Sequence, residues 1–153
     1  MSQLEPTRAA IVAKLAVLGI GVVHDHEPYA ATLAALQALY QDPDSGRLNG
    51  WHVRRVATRE LSAAIGCYLE YVSWQIRGYF ALSEADGSER AFDAQIEAIR
   101  DAVRADPTLG GAVGNTAEDD DEAGVQVQES GPVMFAGVLC HAATLRLVTI
   151  NAL

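Results

Sequence analysis

The stretch from Cys67 to Leu82, CYLEYVSWQIRGYFAL, constrains this chain more than any other part of it. Read as one long strand, it places Tyr68, Val72, Trp74, Ile76, Phe80 and Leu82 on one side. Ser73, Gln75 and Arg77 fall on the other, because successive side chains of a strand point to opposite faces. A strand with one apolar and one wet side over its second half belongs to an antiparallel sheet that helices cover on one face. The expected class is therefore α+β, a mostly antiparallel sheet with helices packed on one face.

The flanking segments supply the helices and further strands. Ile11, Leu15 and Leu18 repeat at helical spacing in a helix from Pro6 to Leu18, which Gly19 and Gly21 stop. Gly-Val-Val-His follows as a short strand. Tyr29, Leu33, Leu36 and Tyr40 then mark one face of a helix over Tyr29–Tyr40. Trp51–Ala57 reads as a strand. Asp86-Gly87-Ser88 forms a turn offering Ser88 as an N-cap, and Phe92, Ile96, Ile99 and Val103 stripe a helix over Glu89–Ala105. Val125–Glu129 and Val138–Ile150 are the last extended stretches. The order α–β–α–β–β–α–β–β fits a single domain over residues 1–153, with an acidic loop at about 115–124.

Composition narrows the function. At 153 residues the chain is long enough to bury roughly 70% of the surface its unfolded form exposes, which excludes disorder for its bulk. No run of about 20 apolar residues is present, so no transmembrane helix is expected. The start, MSQLEPTR, has no basic region leading into an apolar one, so a soluble, unexported protein is expected. Eleven basic against twenty acidic residues give −9, and Lys14 is the one lysine. Such a balance argues against sequence-specific nucleic-acid binding and against an anionic membrane surface. Glu118, Asp119, Asp120, Asp121 and Glu122 hold five of the acids, without the alternating ligands of a calcium loop. Cys67 and Cys140 read as reduced core residues in strand-like surroundings.

Chemistry-bearing clusters are few. His24 and His26 would share one side of an extended strand and could both ligate a metal, but no further ligand cluster accompanies them; His52 and His141 stand alone. Cys140 and His141 are adjacent and so point to opposite strand faces, which leaves Cys67 with His141 as the conceivable thiol–imidazole pair. No G-x-S-x-G, Walker-type glycine loop or G-x-G-x-x-G occurs. No cofactor and no catalytic residue is expected, and the chain reads as a non-enzyme. Arg54, Arg55 and Arg77 are the cations of interest. Arg54 and Arg77 either receive carboxylates from another copy of the chain or pair with Glu60 or Glu70 within one subunit.

In element order the chain resembles the tail terminator (tail completion) proteins of long-tailed bacteriophages. The resemblance runs through IVAKLAVLGIGVVHDHEPYA, GRLNGWHVRR, IRGYFALSEADGSERAFDAQIEAIRDAVRADPTLGG and PVMFAGVLCHAATLRLVT. It implies a mixed sheet with helices on one side and a homohexameric ring at the head-proximal end of a virion tail. Such a ring caps the tail tube, ends its polymerisation and joins it to the head connector or stopper, with no cofactor and no active site. Six copies at −9 carry −54, and the 118–122 run facing the channel would keep passing DNA from adhering to the wall. A head-side neck or adaptor protein is the alternative within the same virion. A small metal-binding enzyme using His24 and His26 is the alternative outside it.

Overall fold

The computed structural model describes residues 2–118 and 122–153, with the backbone alone for residue 118. A helix α1 (Leu4–Ala16) leads through β1 (Val22–His24) to the short α2 (Leu33–Leu39). Two long strands, β2 (Asn49–Ala64) and β3 (Cys67–Ala81), precede α3 (Ser88–Ala105). A small hairpin of β4 (Ala117–Glu118) and β5 (Glu122–Ala123) then gives way to β6 (Gln126–Phe135) and β7 (Val138–Ala152). The five main strands lie in the order β1-β2-β3-β7-β6, antiparallel except for the parallel β1–β2 pair. No helix among the described residues is long and apolar enough to cross a membrane.

The α+β expectation is met, and the alternation of β3 shows why. Val72, Trp74 and Ile76 are buried on the face that carries α1 and α3, while Ser73, Gln75 and Arg77 remain half-exposed. All four stripe residues of α3, Phe92, Ile96, Ile99 and Val103, are buried there beside Ile11 and Leu15 of α1. Each such side chain contributes about 1.5–3 kcal/mol by leaving water. Trp74 Nε1 donates to Thr149 Oγ1 at 2.9 Å, so its one polar atom is satisfied inside the core. Lys14 reaches Asp106 at 2.7 Å and ties α1 to the end of α3; that hydrogen bond, above all, holds the Asp106 carboxyl below its ordinary range.

A second, smaller cluster lies at one end of the opposite face. Tyr40, Leu48, Tyr79, Cys140 and Ala142 form it, with Leu36, Leu39 and Phe135 packed against them. Tyr79 stacks on Phe135 with ring centroids 3.8 Å apart, and Tyr40 meets both edge-on. Several details differ from the sequence reading, among them the strand expected over Val125–Glu129, which runs from Gln126 to Phe135. The second helix begins at Leu33, four residues late, and Tyr29 and Leu33 are exposed because only its far end reaches this cluster. Gly87 in the left-handed region caps α3, and the Ser88 hydroxyl instead accepts from the Ser83 amide at 2.8 Å. The strand read as Trp51–Ala57 starts at Asn49 and runs on to Ala64, and Tyr68 and Leu82 stay exposed because no layer covers the sheet ends. Cys67 is likewise exposed, whereas Cys140 is buried and its thiol is pushed up to about 11 by desolvation.

One contact fixes the sheet against its helices. Trp51 sits opposite Gly78 across β2–β3, wholly buried, and stacks on Phe92 of α3 at 5.5 Å. A Cβ on residue 78 would run into the Trp51 ring, which Phe92 prevents from moving away. Gly78→Ala should therefore lower stability by about 1–3 kcal/mol, the usual cost of overpacking. A urea denaturation midpoint unchanged in this variant would show that the ring has room to shift.

Candidate self-association surface

The outer half of β2 and the turn into β3 are the most exposed regular structure among the described residues. Every residue from Arg54 to Tyr68 is exposed. β1 is only three residues long and pairs with Gly50 to His52, so the outer edge of β2 from Val53 onward carries no partner strand among the described residues. On its inner side β2 pairs with β3 up to the Ala64–Cys67 closure, with register shifts at Arg55/Ala57 and Ser62/Ala64. The result is an outer strand wet on both faces from Arg54 on, backed by β3 and β7 as far as Leu61, and ending in a two-stranded arm over residues 62–68 turned at Ile65-Gly66, past the end of β7. Ribbons of two strands are marginal alone in water, and a bare strand edge invites another chain.

This outer strand and its arm carry apolar side chains that contact with water alone does not explain. Ile65 at the turn is fully exposed, and Val56, Leu61 and Tyr68 are between 39% and 48% exposed. Leu61 faces Leu69 across the ribbon, and Arg59 lies over the Tyr71 ring at 4.5 Å. Glu60 and Glu70 stand directly opposite each other, a like-charge pair that weakens an isolated ribbon. These two carboxylates therefore do not serve Arg54 or Arg77, contrary to one of the two pairings considered. Arg54 instead bonds Glu27 at 3.3 Å. The Arg77 guanidinium donates to Thr144 Oγ1 and, at 2.9 Å, to the Tyr79 hydroxyl, and Arg55 donates to Thr58. Arg54 and Arg77 do share one sheet face, where Arg54 is opposite Gln75 and Arg77 opposite His52.

The described ends of the acidic run, the residue 118 backbone and Glu122, lie elsewhere, beside the C-terminal half of β7. Asp119, Asp120 and Asp121 fall outside the described residues, as does the Glu118 side chain. Glu122 forms an ion pair with Arg146 at 2.8 Å, and the residue 118 backbone pairs with that of Glu122. Surface pairs of this kind contribute about 0–1 kcal/mol.

The histidines are engaged within the chain. His24 Nε2 lies 2.6 Å from the Leu39 carbonyl oxygen, which can only accept, so this nitrogen carries a proton. His26 Nδ1 lies 2.6 Å from Asp25, and the bond holds that carboxyl below its usual range. Their ring centroids are 6.3 Å apart, and among the described residues no three His, Cys, Asp or Glu side chains gather as a metal site. His141 pairs with the Ser88 hydroxyl at 2.8 Å, not with Cys67, and stacks on Phe92. Sequence spacing gave no sign of that pair, because 53 residues separate its members. The same holds for the outer strand and its arm: the TRELSAAIG segment has no period-2 pattern, and only the Ile-Gly pair before Cys67 hinted at a turn. No protein-family profile and no curated protein matches this chain.

His52 is the one strongly perturbed histidine. It is buried, with Nδ1 and the Tyr40 hydroxyl 2.8 Å apart and Nε2 without a partner. Desolvation lowers its pKa to about 4, opposed by Glu27 and assisted by Arg77 and Arg54, and burial raises that of Tyr40. The unfolded chain takes up a proton at His52 below about pH 6.5, whereas the folded chain resists until about pH 4. Stability at pH 7 should therefore fall by up to about 3 kcal/mol as pH drops through this window. Urea titrations at pH 7 and 4.5 should show a smaller loss for His52→Gln than for the unaltered chain; equal losses would assign the slope to other groups.

Proposed function

We propose that this chain is a structural subunit of a phage-type tail, one of six copies that close a ring over the end of the tail tube. In that role it ends tube polymerisation and presents the surface that meets the head connector or stopper. The observation that carries this reading is the outer half of β2, exposed from Arg54 onward with no partner strand on its outer edge among the described residues, together with the hairpin of residues 62–68 that runs past the end of β7. A single copy leaves this edge and hairpin unsupported, and assembly supports them. The sheet with α1 and α3 on one face agrees with the fold that the tail-terminator resemblance implies. A head-side neck protein would use the same arm and differ only in leaving tube growth unchecked.

The acidic hairpin faces the channel in this proposal. Glu118, Asp119, Asp120, Asp121 and Glu122 then present a negative wall that genome DNA slides past without binding. Arg54, Arg55 and Arg77 belong to the subunit interface.

Negative-stain microscopy of the purified chain, alone and with tail tubes, should show six-fold rings, and tubes grown in its presence should stop at native length. Particles that stay monomeric even beside tubes would overturn the reading, and rings that leave tube length unlimited would favour the neck protein. Changing all five acids to their amides should leave rings intact and slow genome delivery. Unchanged infectivity would remove the hairpin from the channel.

A further inference from the structure

The arm ends in two exposed apolar side chains, Ile65 and Tyr68, and the far end of the sheet carries an exposed apolar patch. Leu82, Leu139 and Met134 line up across β3, β7 and β6: Met134 is opposite Leu139, and the Leu82 amide donates to the Leu139 carbonyl at 3.3 Å. Leu33 lies at the same end, its Cδ1 at ordinary contact distance from where a side chain on Gly137 would begin. These four are 37% to 69% exposed. β3 runs the whole way between the two surfaces, and fourteen residue steps at about 3.3 Å separate them by about 46 Å. Tip and patch cannot meet within one molecule.

We infer that the tip of the arm, Ile65 with Tyr68 beside it, docks on the Leu33–Leu82–Met134–Leu139 patch of a second copy of this chain. This rests on the self-association reading and names its contact. Charge complementarity points to the second copy. The segment from Arg54 to Glu70 holds three arginines and two glutamates, against eight basic and eighteen acidic residues in the remainder. Around the patch, Leu82 leads into Glu84, and Glu89 is exposed at the start of α3, while Asp86 is paired with Arg47 at 2.8 Å. A slightly positive segment thus approaches an acidic rim.

Because tip and patch differ, the contact is head-to-tail, and such contacts close into rings when the rotation between copies divides a full turn.

Light scattering on the purified full chain from micromolar to millimolar concentration tests this. Ile65→Asp and Met134→Lys alter exposed side chains, and circular dichroism should show both variants folded. Each alone should stay monomeric where the unaltered chain assembles. Mixed in equal amounts they should form a dimer and nothing larger, since the Met134→Lys copy offers a good tip and the Ile65→Asp copy a good patch. On the unaltered chain, the Cys67 thiol beside the tip should react more slowly with Ellman's reagent once assembled. Variants that assemble like the unaltered chain would overturn this contact and leave the ring reading standing. So would monomeric variants whose mixture yields no dimer. An unaltered chain that is monomeric throughout would overturn this contact, while the ring reading falls only if no rings form beside tail tubes.

Discussion

Everything in this fold is hung on the place where Trp51 lies flat on Gly78 and stacks on Phe92. That stack joins β2, β3 and α3 at one point, and Phe92 extends it to Phe80 and His141. Only glycine at residue 78 lets the indole come down onto the backbone of the next strand. The Trp51 Nε1–H still finds the Gln95 side chain at 3.3 Å, so the ring is buried with no polar atom stranded. With the helix layer fixed there, α1 closes the rest of the same face through Thr7, Ile11 and Leu15, and Thr7 accepts a hydrogen bond from Asn151 at the far end of β7. The opposite face is left to a smaller aromatic cluster at one end, which is why His52 and Tyr40 are buried there and the neighbouring arginine row is not.

How much of this could be read from residues alone depended on whether a segment answers to one layer or to none. β3 and α3 were legible to within a residue because each buries a regular stripe against the other, and packing leaves the period in the sequence. The helix at Leu33–Leu39 was overextended because an alanine-rich run has helical propensity everywhere, while Tyr29 and Leu33 have nothing to pack against. The outer half of β2 and its arm were missed for the complementary reason. A strand wet on both faces has no alternation to detect, so Thr58 to Ala64 offered no pattern. Cys67 was misplaced by the same logic: it continues the count of a strand whose cover has already ended. Ser88 was credited with a capping role that its backbone position assigns to Gly87.

The candidate surface was legible in part. Arg54 and Arg77 do occupy one sheet face, as their strand positions indicated, but their partners Glu27, Tyr79 and Thr144 come from loops and registers that spacing does not reveal. The apolar tip and the apolar end patch each look unremarkable in sequence, as single Ile, Leu or Met residues scattered over a hundred positions. They become surfaces only once register places Met134 opposite Leu139 and leaves Ile65 at a turn.

Strand order also sets a sequence of events for the nascent chain. β2 and β3 are joined by two residues and can zip as soon as both exist, whereas β3 must wait for β7, whose register partners lie 59 to 83 positions further on, from Ala81–Cys140 to Leu69–Ala152. Distant strand pairings form slowly, and local hairpins close in microseconds. The central seam of the sheet is thus completed last, when the C-terminal strand arrives. Until then β2 and β3 have bare edges, and charged residues such as those at 54, 55, 59, 60 and 70 are the kind that discourages edge-to-edge pairing between unfinished chains.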